Sequence, residues 1–157
     1  MNRLVSAVIA IILLILSANN SKAEQSMVVF AKGHCSLSMF GQIYPCKALV
    51  YQHIAKNGRT SFGANTTVGL ISFSGDADLQ PAIDLYILKV DSILDVRGDS
   101  PERTPANGSC KADVSADGNY IKQVTCSAHT EFGQLLLNFR GNGSRINKIP
   151  LPYEGTP

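Results

Sequence analysis

Short segments that are apolar, or in which apolar and polar residues alternate, follow one another along the chain. A strand of a half-buried sheet buries every second side chain, so alternation with a period of two indicates such strands, and it is clearest on the two sides of Gly118. Composition marks further strand candidates: residues 27–31 are a short apolar run, 46–54 are rich in β-branched and aromatic residues, 60–63 and 68–73 flank a polar turn, and 134–139 are mostly apolar. Glycine and asparagine interrupt the segments at short intervals, and we therefore expect an antiparallel all-β domain.

An Asp-Gly dipeptide ending at Gly118 lies between two alternating segments, which is a strong signal for a hairpin. A turn centred on Gly118 sets Cys110 opposite Cys126. The same register sets Ala116 opposite Tyr120 on the same face. Because a slip of one residue would reverse the faces of one strand, the register predicts a Cys110–Cys126 disulfide.

A second hairpin is predicted around a turn at residues 40–41. This turn sets Cys35 opposite Cys46, and it also sets Leu37 opposite Tyr44 on the same face. An even number of cysteines indicates two disulfides and an oxidising compartment, and each bridge contributes about 3 kcal/mol through loop closure. The spacing contains neither a C-x-x-C redox motif nor the close ligand pairs of structural zinc, so we assign the cysteines a structural role.

Three later segments are less regular. Residues 84–96 have apolar side chains at both strand and helix spacing, and their composition favours a strand with a helix as the alternative. Residues 97–109 are rich in proline, glycine and polar residues, and they are predicted to form a loop. The tail from residue 149 contains three prolines, whose missing N–H groups exclude a central strand.

The chain also shows an internal echo, since residues 70–75 read LISFSG and residues 136–141 read LLNFRG. Each half contains a cysteine-flanked hairpin, then a Phe-Gly pair, then a strand that ends in Phe-x-Gly. We therefore consider residues 33–76 and 108–142 as half-repeats joined by the loop at 97–109. A disulfide-stapled antiparallel sandwich and a partly closed barrel fit this pattern equally well.

The first 23 residues have the pattern of a secretory signal peptide. Arg3 precedes an apolar run over residues 4–16, and small residues at Ser21 and Ala23 precede the expected cleavage point. The run is shorter than the roughly 18 apolar residues of a membrane span. We expect cleavage after Ala23, one β domain over residues 24–157, no membrane anchor after cleavage, and a secreted or periplasmic location.

The charge balance limits the partners of this domain. Residues 1–23 carry Arg3 and Lys22 and no acid, so residues 24–157 keep 12 basic (14 − 2) and 12 acidic side chains. A protein that binds nucleic acid nonspecifically needs a basic surface, and a neutral domain argues against that partner. We expect an unidentified protein or envelope component instead.

Motifs of known chemistry are missing from the sequence. It contains no G-x-S-x-G, H-E-x-x-H, phosphate-loop or dinucleotide pattern. His34, His53 and His129 are isolated in the sequence, and Asp76, Asp78 and Asp84 lack the spacing of a calcium loop. We predict no catalytic residue, no metal site and no cofactor.

A stapled β scaffold with polar loops and no catalytic motif favours a non-enzymatic binding module. The loop around residues 100–107 is the expected contact region. Two alternatives remain open from the sequence. One is a small-molecule carrier with a cavity inside a barrel, and the other is a small secreted hydrolase that uses His53 or His129.

Overall fold

A computed structural model describes residues 25–152, which fold into eleven β-strands without a helix. The predicted signal peptide lies outside the described residues. The strands are β1 (Met27–Ala31), β2 (Gly33–Met39), β3 (Gln42–Ile54), β4 (Arg59–Thr66), β5 (Leu70–Gly75), β6 (Ala77–Ala82), β7 (Leu85–Val96), β8 (Glu102–Val114), β9 (Ile121–Thr130), β10 (Gly133–Gly141) and β11 (Asn147–Pro150). No helix in this part of the chain is long and apolar enough to cross a membrane.

Eight of the strands close an antiparallel barrel in the order β3-β2-β10-β9-β8-β7-β5-β4, and β4 pairs with β3 to complete the ring. Three strands lie outside the ring: β1 lies beside β3, β11 pairs with β1, and β6 pairs with β7. The prediction of an all-β fold with disulfide-stapled hairpins is confirmed. Of the two architectures left open by the sequence, the structure shows the barrel.

Side chains fill the interior of the barrel, as expected for a ring of eight strands. The largest fully buried side chains are Leu37, Leu49, Ile71, Phe73, Leu88, Leu135, Leu137 and Phe139. Each such side chain contributes about 1.5–3 kcal/mol when it leaves water. The apolar positions of the alternating pattern therefore face the inside of the barrel. The packed core that they form holds the strands that support the loops.

The hairpin formed by β8 and β9 has the predicted register over most of its length. Cys110 lies opposite Cys126, and a disulfide joins them. The predicted pairing of Ala116 with Tyr120 is wrong. The register shifts before the turn, and the Ser115 N–H donates to the Tyr120 carbonyl at 2.9 Å, which closes a wider turn.

The hairpin formed by β2 and β3 also follows its predicted register, with Leu37 opposite Tyr44. A disulfide joins Cys35 to Cys46, as this register predicts. The turn at residues 40–41 is a two-residue connection in which both residues have positive φ. Each disulfide thus joins the two strands of one hairpin.

The loop predicted over residues 97–109 is shorter in the structure. It spans residues 97–101, and Glu102 begins β8. Pro105 lies opposite Ser92 beside an irregularity in the pairing of β7 with β8. A proline is tolerated where the ladder is already interrupted, so the pairing with β7 overrides the loop signal of the local composition.

The antiparallel strands bring four turns to one end of the barrel. We call this the loop end, and it consists of residues 40–41, 67–69, 97–101 and 131–132. The turns at residues 55–58 and 115–120 lie at the opposite end, next to the three extra strands. The side chains exposed at the two ends differ in chemistry. The candidate functional site lies at the loop end.

Candidate functional site

The structure places the three histidines in different surroundings. His34 and His129 are exposed on β2 and β9, opposite Arg140 and Asn107 respectively. His53 is only 8% exposed on β3. No three histidine, cysteine, aspartate or glutamate side chains among residues 25–152 are grouped so that they could hold a metal ion.

His53 takes part in a hydrogen-bonded series at the end opposite the loop end. Its Nδ1 lies 3.2 Å from Oγ1 of Thr60, Thr60 hydrogen-bonds to Tyr86, and the Tyr86 hydroxyl donates to Asp78. Burial and the Asp78 bond raise the pKa of Tyr86. Thr60 is only 1% exposed, so no substrate can reach its hydroxyl. The series therefore lies at the closed end of the barrel and joins β3, β4, β6 and β7.

Aromatic rings pack at the same end of the barrel, opposite the loop end. The ring of Tyr86 lies 5.9 Å from that of Phe62 and 6.3 Å from that of Tyr51, with edge-on geometry. Tyr51 and Phe62 contact each other at 5.3 Å. Such pairs add about 0.5–1.5 kcal/mol beyond their burial, so this cluster is part of the scaffold.

A polar cluster lies on the outer wall of the barrel. Arg59 donates to Asp91 and to Ser92, and Arg103 donates to Ser92 at 2.8 Å. Burial alone would raise the pKa of Asp91, but hydrogen bonds from Arg59 and Ser92 lower it. These donors already bind side chains of the wall, including Ser74, and the cluster therefore ties β4, β5, β7 and β8 together.

The loop end differs from these scaffold clusters because it exposes aromatic side chains. Phe40 is 49% exposed at the turn between β2 and β3. Its backbone N–H donates to the Gln134 carbonyl of the neighbouring hairpin at 3.4 Å. A Cβ placed on Gly133 would lie 3.3 Å from the Phe40 ring, which shows how closely the ring approaches that hairpin.

Phe132 is 66% exposed at the turn between β9 and β10. The hydroxyl of Thr130 accepts a hydrogen bond from the Phe132 N–H at 3.2 Å and donates to the Gly133 carbonyl at 3.1 Å. Gly133 has a φ of +125°, a value that an L side chain rarely adopts. The turn is therefore defined by hydrogen bonds that direct the phenylalanine to solvent.

The turn between β4 and β5 repeats this arrangement. The hydroxyl of Thr66 accepts from the Val68 N–H at 3.2 Å and donates to the Gly69 carbonyl at 2.8 Å. Gly69 has a φ of +130°, and Val68 is 46% exposed. The two turns share the pattern Thr-x-apolar-Gly, a sequence signal that the alternation of apolar and polar residues does not reveal and that marks both exposed side chains.

A cleft of about 160 Å³ lies between the phenylalanines and the turn at residues 97–101. Four apolar side chains form its floor: Met39, Ile71, Ile93 and Leu135. Asp95, Arg97 and Glu102 line the other side. A shallower depression continues past Val68 along the same charged side chains.

The charged side of the cleft is mostly acidic. Arg97 binds Asp95, with its Nε 2.9 Å from the carboxylate, and this hydrogen bond raises the pKa of Arg97. Glu102 lies directly opposite Asp95 in the pairing of β7 with β8. Arg97 attracts Glu102 as well as Asp95, so this wall of two acids and one base keeps a net charge of −1.

The contact region predicted from the sequence, residues 100–107, overlaps the site only in part. Residues 100–101 belong to the loop end, whereas 102–107 pair within β8. The exposed aromatic residues of the site come from the two turns on the other side of the cleft. Comparison with known proteins adds no assignment, because no family model, curated protein or solved structure matches the chain.

Proposed function

We propose that this protein is an exported, non-enzymatic binding module whose loop end binds an apolar side chain of a partner protein. One observation carries the proposal: two turns hold Phe40 and Phe132 in solvent at a cleft with an apolar floor, and a third turn exposes Val68 at the adjoining depression. Exposed aromatic residues around a pocket are typical of the anchor sites of protein interfaces.

The backbone of Phe40 supports this proposal. Its φ of +52° lies in the left-handed region, which bulky residues avoid. Strained residues persist where the surrounding structure holds them, and they concentrate at binding sites. A turn selected only for stability would carry asparagine or glycine at this position.

The shape of the site favours a side chain of a partner protein over a free small molecule. The cleft with the apolar floor is about 160 Å³, below the roughly 300–1,000 Å³ of small-molecule sites, and the adjoining depression of about 390 Å³ is open and lined mostly by charged and polar residues. The interior of the barrel is filled by side chains. These observations make the carrier the second candidate. A hydrolase has less support, because the hydroxyl beside His53 belongs to the buried Thr60 and His129 lies exposed on β9 opposite Asn107.

Two disulfides in so small a domain indicate an oxidising compartment outside the cytoplasm. The signal-peptide pattern of residues 1–23 supports export by the secretory route. We therefore propose that the protein is secreted or periplasmic, and that its partner is an envelope component or another exported protein.

The test begins with selection of binders from a random peptide library displayed on phage. Their affinity is then measured for the wild type, for Phe132→Ala and for the control Ile83→Ala. Ile83 is 69% exposed at the opposite end of the barrel, so the control removes a similar apolar surface. Loss of an anchor residue costs about 2 kcal/mol or more, so we expect binding to fall at least about thirtyfold in Phe132→Ala only. Equal affinities for the three proteins would refute the proposal.

A further inference from the structure

We infer that the loop end takes a cationic segment, in which lysine or arginine flanks the apolar anchor residue. This inference rests on the proposed function and names the class of partner. The loop end and the cleft lining contain four acids and one base, a net charge of −3: Asp95, Asp99, Glu102, Glu131 and Arg97. The predicted mature domain as a whole is neutral, so this charge is concentrated at one end.

Three of the acids are available to a partner. Within residues 25–152, the ion pairs join Arg59 to Asp91, Arg97 to Asp95 and Lys111 to Asp113. Of the four acids of the loop end and the cleft lining, the three outside these pairs are exposed, and they are Asp99, Glu102 and Glu131. A cationic segment would be attracted to these acids before contact.

The acids stand next to the apolar anchor site. Glu131 precedes the exposed Phe132 in the same turn, and Glu102 lines the cleft on its other side. An apolar side chain in the cleft would therefore have acids on two sides of it. The exposed faces of Phe40 and Phe132 also attract cations. The site thus combines one apolar pocket with two separated positions for positive charge.

The opposite end does not share this chemistry. The exposed charges there are of both signs, since Lys122, Arg140, Arg145 and Lys148 lie at the same end as Asp76, Asp78, Asp84 and Asp117. An acidic segment would be repelled from the loop end. Anionic lipid headgroups would be repelled from the loop end for the same reason, although phenylalanine can insert into membranes. The charge pattern therefore favours a basic polypeptide over a membrane surface.

The test uses three short synthetic peptides that share a central leucine flanked by lysines, by serines or by glutamates. Their dissociation constants are measured by NMR titration of the labelled protein at about 20 mM and about 300 mM NaCl. We expect the lysine peptide to bind about tenfold more tightly than the serine peptide at low salt, and the difference to shrink at high salt. The glutamate peptide should bind most weakly.

Two matched variants separate this inference from the proposed function. The triple variant Asp99→Asn, Glu102→Gln, Glu131→Gln should abolish the preference for lysine, whereas Asp76→Asn, Asp84→Asn at the opposite end should keep it. Phe132→Ala should weaken all the peptides. Equal binding of the three peptides, still dependent on Phe132, would overturn the inference and leave the proposed function standing.

Other outcomes also decide the inference. Undetectable binding of the lysine peptide would overturn it, as would tighter binding of the glutamate peptide. Vesicles of phosphatidylglycerol are the membrane probe. If they bind the wild type and this binding requires Phe132, the loop end recognises lipid and the inference fails.

Discussion

At the scale of single residues, Phe40 shows where local preference and site geometry disagree. Two-residue hairpin turns of the primed types need positive φ, and φ is +52° at Phe40 and +81° at Gly41. An L side chain in this region costs about 1–2 kcal/mol. The ring nevertheless lies over Gly133 at the edge of the cleft. The strain is therefore located where the proposed binding surface needs an aromatic ring.

Phe40→Asn should stabilise the protein and weaken binding. Asparagine tolerates the left-handed region, so we expect a gain of about 1 kcal/mol and a rise in Tm of about 4 °C. Thermal unfolding followed by circular dichroism measures the gain, and the phage-selected binders measure the loss. Gly41→Ala is the control, because it adds strain and should destabilise. A lower Tm in Phe40→Asn would show that the ring contributes more to stability than the strain removes.

Asp117 should make the turn between β8 and β9 sensitive to acid. Hydrogen bonds from Ser115 and Asn119 lower the pKa of Asp117 to about 2. Because this folded value lies below the unfolded value, the contribution is complete above the unfolded pKa and is lost as the pH falls through about 2. NMR titration of the Asp117 carboxyl measures this pKa, and Ser115→Ala should raise it. An unchanged pKa in Ser115→Ala would contradict the assigned cause.

At the scale of elements, the sequence predicts the hairpins because two independent signals agree. The turn residues and the cysteine positions define the same register, so Cys35–Cys46 and Cys110–Cys126 follow from spacing. Strand β6 was missed, since Pro81 and the exposure of all its side chains hide the alternation. The first residues of β8 were missed because their strand conformation comes from pairing with β7.

The candidate site was predicted less well than the hairpins. Its floor comes from strands distant in sequence, such as Ile71 and Leu135, and the closure of the barrel brings them together. Periodicity does not encode that closure. The two Thr-x-apolar-Gly turns could have been predicted from the sequence. They extend the similarity between residues 70–75 and 136–141, because Phe73 and Phe139 are both buried shortly after such a turn. The duplication itself stays a prediction.

The two disulfides should differ in their contribution to stability. Both close loops of similar size, with sequence separations of 11 and 16, so loop entropy gives each about 3 kcal/mol. Cys110 and Cys126 are also buried in the core, whereas Cys35 and Cys46 are half-buried. Replacing the buried pair with alanine should therefore cost about 1 kcal/mol more than replacing the other pair. Urea unfolding of the two double variants measures this, and equal losses would mean that the buried site adapts to the smaller side chains.

At the scale of the whole molecule, the barrel is closed by contacts between distant parts of the chain. Strand β2 pairs with β10, which sets Leu37 opposite Leu137, and β1 pairs with β11 near the end of the chain. Neither half of the chain can therefore pair all of its strands alone. Such non-local pairings also make folding slow, because long loops must be ordered before the contacts form.

This closure predicts that the two halves are not independent folding units. A fragment of residues 24–96 leaves β2 and β7 without β10 and β8, and it exposes the buried face of β7, including Leu88. We expect this fragment and residues 97–157 to be unfolded separately by circular dichroism and NMR. Each disulfide joins two cysteines of the same half, so each fragment keeps one disulfide. Mixing the two oxidised fragments should restore dispersed NMR signals and binding at the loop end. A folded 24–96 fragment would instead show that the first half forms a core without the closing strands, as an ancestral single repeat would.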